Sequence, residues 1–353
     1  MREKLERHAV ALRPHVKTAK SIEVVRRALI GQPGGITVST LKEAEQFFAH
    51  GLNDILYAVG IAPNKLDHVA ALRARAADVT VLLDSVEAAR MVADRGRALG
   101  IDFPALIEID CDGHRSGVRP GQPALVEIGR VLNEGRGASL RGVMTHAGDS
   151  YNCASVDAIR IMAERERAAV VRCAETLRGA GLPCPIVSVG STPTATFAAT
   201  FDGVTEVRAG VYMFFDLVMA GLGVCSIDDI AVSVLATVIG HQADKGWIIT
   251  DAGWMALSRD RGTAKQRIDQ GYGLACSVQG VPFDDLVVID TNQEHGIIAN
   301  RRGVSVDAAR YPVGTQLRIL PNHACATSAQ HAAYHVVNGG IEIEAVWPRF
   351  TGW

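Results

Sequence analysis

One lysine stands where covalent chemistry with a carbonyl compound is possible. Lys17 closes a short apolar run, Leu12–Lys17, of the kind that forms a buried strand. An amine there is costly to bury unless it is neutral, paired or used covalently. A desolvated lysine amine is the group that forms a Schiff base. The pattern leaves a second interpretation equally open, in which the side chain reaches out to solvent.

A glycine-led turn supplies a candidate phosphate site. Gly190-Ser191-Thr192-Pro193 follows a later apolar run and begins a helical pattern. Glycine lets the backbone approach a ligand, proline suits a first helical turn, and N–H groups at a helix start bind anions. Gly210, after the next run, is placed to complete the cup. Taken alone, the turn is better explained as a helix cap by Ser191 or Thr192; together with the other residues at strand ends it favours a phosphate.

A histidine and a cysteine two positions apart form a candidate metal pair. His323-Ala324-Cys325 lies at the end of a predicted strand, where positions i and i+2 share one face. Imidazole and thiolate suit zinc best, and two protein ligands leave positions for water and substrate. The alternative is a core cysteine with an incidental histidine beside it. Glu294-His295, in another loop, would support the metal, contact substrate or form a surface turn.

These residues follow strands that alternate with helices. Amphipathic stretches such as Lys65–Ala77, Val86–Leu99 and Val156–Gly179 separate short apolar runs. The predicted strands are Leu12–Lys17, Gly35–Thr40, Asp54–Val59, Val79–Asp84, Ala105–Asp110, Leu140–His146, Pro185–Ser191 and Glu206–Tyr212. This order predicts a (βα)8 barrel of the TIM type, whose functional residues follow the carboxyl ends of the strands. An open doubly wound sheet is the rival, but the Gly-rich dinucleotide loop usual after its first strand is absent from the sequence.

The second half of the chain has a different pattern. Its predicted strands have little helix between them and are Ile230–His241, Trp247–Ala252, Leu286–Thr291, Gln316–Pro321, Ala333–Val337 and Ile341–Trp347. Such a pattern indicates a mainly antiparallel β domain. Gly, Ser and Asp accumulate over Gly221–Asp229, which predicts a boundary there and two domains, 1–225 and 226–353.

The composition excludes several classes of protein. With 353 residues, 48% of them hydrophobic and 21% charged, the chain is an ordered globular protein. A net charge of −2 without blocks of like charge argues against nucleic-acid and anionic-membrane binding. No run reaches the ~18 apolar residues of a spanning helix. The charged start, Met1–Arg7, predicts a helix and not a signal peptide, and seven scattered cysteines favour reduced thiols and a cytoplasmic protein.

A set of motifs carries a family resemblance. Arg13-Pro14-His15-Val16-Lys17-Thr18 resembles the pyridoxal-phosphate lysine motif of the D-threonine aldolase and D-serine dehydratase group, which belongs to the alanine-racemase-like, fold-type III enzymes. The resemblance extends over nearly the whole chain and is specific because many motifs agree. The other matching segments are Gly35–Thr40, Asp112-Gly113-His114-Arg115-Ser116-Gly117, Gly190–Thr194, Asp251–Met255, Gln293–Gly296 and Pro321–Thr327.

The resemblance implies an enzyme that uses pyridoxal 5′-phosphate. Lys17 would hold the cofactor as an internal aldimine. The cofactor phosphate would be bound by Gly190, Ser191, Thr192, Gly210 and Tyr212. His146 would lie against the pyridine ring, Arg115 would face the ring hydroxyl and Arg208 the ring nitrogen.

The resemblance also implies a metal and a partner subunit. His323 and Cys325 would bind a divalent metal, Zn²⁺ or Mn²⁺, and the enzyme would be a homodimer. Tyr151, Glu294 and His295 are the candidates for substrate contact. Members of the group carry a segment before the position of Met1 that adds a strand to the β domain. Without it, we expect that domain to have an open edge of unpaired backbone groups.

The implied activity is dehydration of a small D-3-hydroxy amino acid. D-threo-3-hydroxyaspartate, giving oxaloacetate and ammonia, fits best, and D-serine, giving pyruvate and ammonia, is an alternative. Retro-aldol cleavage to glycine and an aldehyde is another, but aldolases of the group tend to carry His-x-Asp where this chain has Cys325. A racemase needs no metal, and a pyridoxal-phosphate carrier protein is usually a lone barrel. Arg259 or Arg261 is the candidate cation for a β-carboxylate, with a charged surface loop as the alternative.

Overall fold

The chain packs as two compact units. A computed structural model describes residues 1–113 and 115–353; His114, from one of the matching motifs, lies outside them. The first unit comprises residues 1–210 and 352–353, and the second residues 211–351. The boundary after residue 225 that the composition suggests stays a prediction.

The first unit is built on a parallel sheet. Its strands are β1 (Ala11–Leu12), β2 (Ile36–Val38), β3 (Asp54–Gly60), β4 (Asp78–Leu83), β5 (Phe103–Ile109), β6 (Ala138–Thr145), β7 (Ile186–Val189) and β8 (Glu206–Val207). Over the described residues they lie in the order β1-β8-β7-β6-β5-β4-β3-β2. Every residue of β5 is buried, as expected of a parallel strand covered on both faces.

The two ends of that order meet beside β1. His15 forms a parallel bridge with Thr37, supported by hydrogen bonds from Thr37 N–H to the Pro14 carbonyl and from Val16 N–H to the Thr37 carbonyl, both 2.9 Å. The sheet therefore curls back on itself, which confirms the predicted TIM-like barrel of alternating strands and helices.

One helix precedes the first strand, and one follows each of the strands β1 to β7. They are α1 (Arg2–Arg7), α2 (Ile22–Ala28), α3 (Leu41–Ala49), α4 (Leu66–Ala74), α5 (Val86–Leu99), α6 (Ala124–Asn133), α7 (Val156–Gly179) and α8 (Thr192–Phe197). The predicted bounds of α5 and α7 are confirmed because both have clear starts: Ser85 and Ser155 accept the N–H groups of Ala88 and Ala158. Gly100, with φ of 66°, ends α5.

The first and last barrel strands are shorter than predicted. The regular strand β1 ends at Leu12, two residues before Pro14, which has no N–H to donate. Hydrogen bonds to the β8 segment nevertheless continue, from Arg13 N–H to the Val207 carbonyl at 2.9 Å and from His15 N–H to the Ala209 carbonyl at 2.8 Å. β8 ends at Val207, and Val211–Met213 forms a 3-10 turn. Lys17 and Tyr212 therefore lie beyond the strands in which the sequence places them.

The second unit contains a closed antiparallel barrel. Its strands are β9 (Val234–Gln242), β10 (Trp247–Thr250), β11 (Gly273–Cys276), β12 (Pro282–Thr291), β13 (Gly296–Asn300) and β14 (Gln316–Pro321). A separate hairpin consists of β15 (Ala333–Val336) and β16 (Ala345–Pro348). β11 and β13 escaped prediction because each is short and starts at a glycine next to turn residues. Short helices α9 (Leu217–Gly221), α10 (Trp254–Leu257) and α11 (Ala324–Ser328) connect these elements.

The six-stranded barrel of the β domain does not have the expected open edge, whereas each strand of the hairpin β15–β16 is paired on one side only in the described residues. β9 pairs with both β10 and β14, so the strand order closes as β10-β13-β12-β11-β14-β9. Buried side chains from these strands, including Val238, Ile248 and Val288, fill the centre.

Two further features concern the cysteines and the helices. All seven cysteines are free of disulfide bonds. Within residues 1–113 and 115–353, every helix is too short or too polar to cross a lipid bilayer.

Candidate active site

Lys17 lies in a turn and not at the end of a strand. After the His15–Thr37 bridge the chain turns, with Lys20 N–H donating to the Val16 carbonyl at 2.8 Å. The Lys17 side chain is exposed, as in the second of the two interpretations that the sequence left open. Lys20 pairs with buried Glu43 at 2.9 Å, whereas no ion pair holds Lys17 in the described residues. The amine of Lys17 is thus available to a carbonyl group.

His146 follows β6 and is neutral. Burial lowers its pKa to about 4. The hydrogen bond to Gly190 raises the pKa, whereas the positive charges of Arg208 and Lys17 lower it further. Its Nδ1 lies 2.6 Å from the Gly190 carbonyl oxygen. Because a carbonyl only accepts, Nδ1 carries the hydrogen and Nε2 keeps a lone pair.

Arg208 follows β8 and is enclosed in the barrel. Its guanidinium donates to the Thr145 carbonyl and, at 3.4 Å, to the Ser188 hydroxyl. Burial lowers its pKa, while the charges of Glu206 and Glu166 oppose that effect. Arg208 therefore supplies a fixed positive charge beside His146.

Arg115 is more exposed and lies in the loop after β5. Its guanidinium donates to the buried carboxylate of Glu108 at 3.2 Å, and the Ser116 hydroxyl donates to the other carboxylate oxygen at 3.1 Å. Glu108, which the sequence pattern does not mark, therefore anchors the predicted cofactor residue Arg115.

The glycine-led turn after β7 uses its serine as a helix cap. Ser191 Oγ accepts the Thr194 N–H at 3.2 Å and lies 2.9 Å from Thr194 Oγ1 and from Ser150 Oγ. The capping role left open by the sequence is thus present, and Thr192 begins α8 as a buried residue. Phosphate binding by Ser191 and Thr192 stays a prediction.

Two glycines of the predicted phosphate cup are sterically required. Gly190 has φ of +148°, and a Cβ there would lie 1.8 Å from the Arg208 carbonyl oxygen. A Cβ on Gly210 would lie 2.7 Å from the His15 carbonyl oxygen and 3.0 Å from Thr18 Oγ1. These contacts bring the segments of Lys17, Gly190 and Arg208 together at one rim of the barrel.

Two tyrosines have different surroundings. The ring centroid of Tyr151 lies 6.3 Å from that of His146, so a predicted substrate residue adjoins a predicted cofactor residue. Tyr212, a predicted phosphate ligand, belongs to the second unit, in the turn Val211–Met213.

The predicted metal pair lies in the second unit, but not in a strand. His323 precedes α11 and Cys325 is in its first turn, so the argument from an extended segment is wrong. The side chains are nonetheless hydrogen-bonded to each other. His323 Nδ1 also lies 2.5 Å from Asp260 Oδ2. Burial lowers the pKa of His323, but these two hydrogen bonds outweigh it and raise the pKa to about 10.

This arrangement has the chemistry of a histidine metal ligand and its supporting carboxylate. Asp260 holds Nδ1, which leaves Nε2 for a metal, and a bound metal would displace the proton that His323 carries in the structure. Cys325 supplies a thiol. Within the described residues, no group of three or more His, Cys, Asp or Glu side chains is placed to hold a metal. Binding of a metal by His323 and Cys325 stays a prediction.

The other loop predicted for this centre is exposed. Glu294 and His295 lie in the turn between β12 and β13, where Asn292 N–H donates to the His295 carbonyl at 2.8 Å. Their predicted roles toward metal or substrate stay predictions.

Sequence reasoning missed the acids that position the site. Asp260 is 63 positions from His323, and Asp216 accepts the Ala324 N–H at 2.9 Å from 108 positions away. No local pattern marks either residue. Glu166 had a signal, because it falls on the buried stripe of α7 between Ala163 and Val170.

Two family models match the chain. The model "Alanine racemase, N-terminal domain" matches residues 1–218, and the "Putative serine dehydratase domain" matches residues 231–337. The fold and the lysine-bearing rim thus define an alanine-racemase-like enzyme.

Comparison with individual proteins shows which enzymes of this family the chain resembles. D-threo-3-hydroxyaspartate dehydratase from Delftia sp. strain HT23 is 56% identical over 100% of this chain and 93% of its own, and its solved structure matches with a TM-score of 0.96. D-serine dehydratase from Dictyostelium discoideum is 30% identical over 97% of this chain and 90% of its own. The structure of D-threonine aldolase from Filomicrobium marinum matches with a TM-score of 0.80 and 25% identity, over 98% of this chain and 89% of that one.

The chain belongs to the alanine-racemase-like family, in the group that contains the D-threo-3-hydroxyaspartate and D-serine dehydratases. The family predicted from the motifs is thereby confirmed, and so is an enzyme of the lyase type. A mutant of the Delftia enzyme has been solved in a form described as metal-free.

Proposed function

We propose that this protein is a pyridoxal-phosphate- and divalent-metal-dependent dehydratase of D-3-hydroxy amino acids. The substrate that fits best is D-threo-3-hydroxyaspartate, which would lose water and then, on hydrolysis, yield oxaloacetate and ammonia. The water lost in the first stage balances the water taken up in the second.

The observation that carries this proposal is the side-chain set around His323. The imidazole is held by Asp260 at 2.5 Å and hydrogen-bonded to the thiol of Cys325. Of the two candidate metals, Zn²⁺ and Mn²⁺, a thiolate and an imidazole prefer Zn²⁺. Such a centre suits removal of a hydroxyl group, which a racemase does not need.

The residues of the first unit fit pyridoxal phosphate. Gly190 and Gly210 let the loops after β7 and β8 pack closely against the Arg208 and His15 carbonyl groups, which holds both loops at the rim that carries Lys17. Lys17 offers an exposed amine for the aldehyde, and neutral His146 offers a planar face. Arg115 and Arg208 supply positive charge for an anionic ligand.

Each residue then has a chemical task. When bound, the pyridoxal ring supplies an electron sink for charge at Cα, and the metal supplies a Lewis acid for the hydroxyl. Lys17 Nζ is the group that removes the proton from Cα. His146 stays neutral and so adds no charge to the ring face. Asp260 keeps Nδ1 of His323 occupied, which would leave Nε2 to hold the metal.

The two arginines proposed for the β-carboxylate have different partners. Arg261 is already paired with Asp269 at 2.5 Å. Arg259 stacks on Trp254, its guanidinium carbon 4.5 Å from the ring centroid, and no carboxylate pairs with it in the described residues. It follows Ser258, whose φ of +75° is unusual for a residue other than glycine. Arg259 is therefore the better candidate.

Product analysis tests the proposal. Purified protein with pyridoxal phosphate and Zn²⁺ or Mn²⁺ would be given D-threo-3-hydroxyaspartate, D-serine and D-threonine separately. We expect oxaloacetate and ammonia from the first substrate, with pyruvate formed more slowly from D-serine. Glycine and an aldehyde would show an aldolase and overturn the argument from Cys325. Pyruvate formed faster than oxaloacetate would make the protein a D-serine dehydratase.

We also propose that the enzyme is a homodimer, which the family resemblance supports. Light scattering of the purified protein measures its mass directly. A monomer with full activity would contradict this part of the proposal.

A further inference from the structure

Glu166 is a buried carboxylate that the proposed reaction does not use. It lies on α7 with 2% of its surface exposed, and no lysine or arginine pairs with it in the described residues. Burial raises its pKa. The charge of Arg208 acts on the carboxyl group without forming an ion pair, and burial still raises the pKa, so hydrogen bonds must offset the cost of burying this acid.

The compensation comes from two backbone N–H groups that bind the same oxygen. Glu166 Oε1 accepts the Ala147 N–H at 3.0 Å and the Gly190 N–H at 3.1 Å. The Thr194 side chain is also hydrogen-bonded to the carboxyl group. Ala147 follows β6 and Gly190 follows β7, so one side chain joins two neighbouring loops of the rim.

Those loops carry His146 and the glycine-led turn. Gly190 donates its N–H to Glu166 and accepts the Nδ1–H of His146 at 2.6 Å. Ala147, bound to the same oxygen, is the next residue after His146. The contacts therefore form a closed ring through Glu166, Ala147, His146 and Gly190.

We propose that Glu166 is a positioning residue that sets the tautomer and orientation of His146. By fixing both loops, it keeps the Gly190 carbonyl opposite Nδ1, which leaves Nε2 as the lone-pair nitrogen. Loss of the carboxyl oxygen frees Gly190 and lets His146 rotate. The link from this contact to cofactor binding rests on the proposed function.

Three substitutions of Glu166 and one control test the role. Glu166→Gln keeps an oxygen that can accept both N–H groups. Glu166→Asp keeps the charge but is one methylene too short to reach both, and Glu166→Leu removes the acceptor. Glu164→Gln is the control, because Glu164 is exposed on the same helix and pairs only with Arg167 in the described residues.

The first measurement uses protein without cofactor. In ¹⁵N-histidine spectra, the Nδ1–H resonance of His146 is assigned by its loss in His146→Gln. We expect it to be slowly exchanging in the wild type, Glu166→Gln and Glu164→Gln, and to be lost in Glu166→Leu. Glu166→Asp should be intermediate.

The second measurement is the Kd for pyridoxal phosphate, from titration of cofactor-free protein. We expect about a tenfold rise for Glu166→Leu, equivalent to about 1.4 kcal/mol. For Glu166→Gln we expect a change of less than about threefold, because both hydrogen bonds remain.

Several results overturn the inference. One is an unchanged His146 Nδ1–H resonance together with an unchanged Kd in Glu166→Leu. Another is a Kd closer to the wild-type value in Glu166→Asp than in Glu166→Gln, because the negative charge of Glu166, and not its hydrogen bonds, would then account for the effect. If Glu166→Leu fails to fold, the Asp and Gln variants decide. If the wild type does not bind pyridoxal phosphate but the resonances behave as expected, the proposed function fails and the positioning role stands.

Discussion

At the scale of single residues, two lysines of the same turn have different roles. We expect Lys17 to matter for catalysis and Lys20 for stability. Lys17 is exposed, so we expect Lys17→Ala to change the unfolding free energy by less than about 0.5 kcal/mol. The same change should lower kcat by about 10²–10⁴-fold and abolish covalent cofactor binding. Lys20 pairs with Glu43, whose side chain is 2% exposed, so Lys20→Met should cost about 3 kcal/mol. Urea unfolding and the cofactor absorbance spectrum check both variants, and a destabilised Lys17→Ala would contradict the assignment.

His146 predicts a pH dependence of stability in the cofactor-free protein. Its pKa is about 4 in the folded chain, against 6.5 for an ordinary histidine in water. The unfolded chain therefore binds more protons between these values, so the contribution of His146 is complete above pH 6.5 and is lost as the pH falls toward 4. The loss amounts to about 3 kcal/mol. Urea unfolding at pH 7 and pH 5 should show a steeper fall for the wild type than for His146→Gln; equal slopes would refute it.

Arg259 predicts substrate selectivity. Arg259→Ala should raise KM for D-threo-3-hydroxyaspartate by about tenfold, corresponding to one lost charge-assisted contact, and should leave KM for D-serine unchanged. Arg261→Ala is the control, because Arg261 is paired with Asp269. Steady-state kinetics on both substrates measure the effect. Equal effects of Arg259→Ala on the two substrates would remove this residue from the carboxylate site.

At the scale of elements, Arg13 ties the barrel together near the seam between its first and second strands. It donates to Glu206 on β8 at 2.8 Å and to both oxygens of Asp54 on β3 at 2.8 and 2.9 Å. Arg13→Met would leave buried Glu206 without its cation and should cost about 3–5 kcal/mol. Arg90→Met, which breaks an exposed pair with Glu127, should cost less than about 1 kcal/mol. Similar urea midpoints for Arg13→Met and Arg90→Met would show that the ion pairs of Arg13 do not stabilise the seam.

The elements also show where sequence reasoning holds. Helix α7 is predictable from Val156 to Gly179 because a capping serine and a long apolar stripe define it locally. The barrel follows from the regular alternation of strands and helices. β11 and β13 escape prediction because four or five residues beside a glycine do not distinguish a strand from a loop. Their pairing partners, distant in sequence, decide the structure.

Some residues of the candidate site are likewise predictable from the sequence, and others are not. Lys17, His146 and Gly190 follow apolar runs, so topology places them at one rim. His323 and Cys325 are close together because α11 begins between them, and the sequence pattern did not predict this helix. Asp260 reaches His323 across 63 positions, and Glu166 reaches its partners across 19 or more, so tertiary packing decides both contacts. Residues that carry chemistry are found from their types. The buried stripe of α7 marks Glu166 as a buried acid, but the partners of both acids are found only from the three-dimensional structure.

At the scale of the whole molecule, the two units hold different parts of the chemistry. The residues that fit pyridoxal phosphate lie mainly in residues 1–210, and the His323–Cys325 pair lies in residues 211–351. Chelation should therefore separate the two contributions. We expect EDTA to abolish ammonia release while leaving the cofactor absorbance band in place, since no residue of the second unit is needed for the amine of Lys17.

A substitution of Asp260, the carboxylate that holds His323, should weaken metal binding without removing it. Asp260→Asn should lower metal affinity by about 10–100-fold, because Nδ1 of His323 loses its carboxylate partner. Activity should then return when Zn²⁺ or Mn²⁺ is raised by the same factor. Asp269→Asn, in the same segment but paired with Arg261, is the control and should need no extra metal. Cofactor lost together with the metal, or an Asp260→Asn protein that excess metal cannot restore, would show that the two groups do not bind independently.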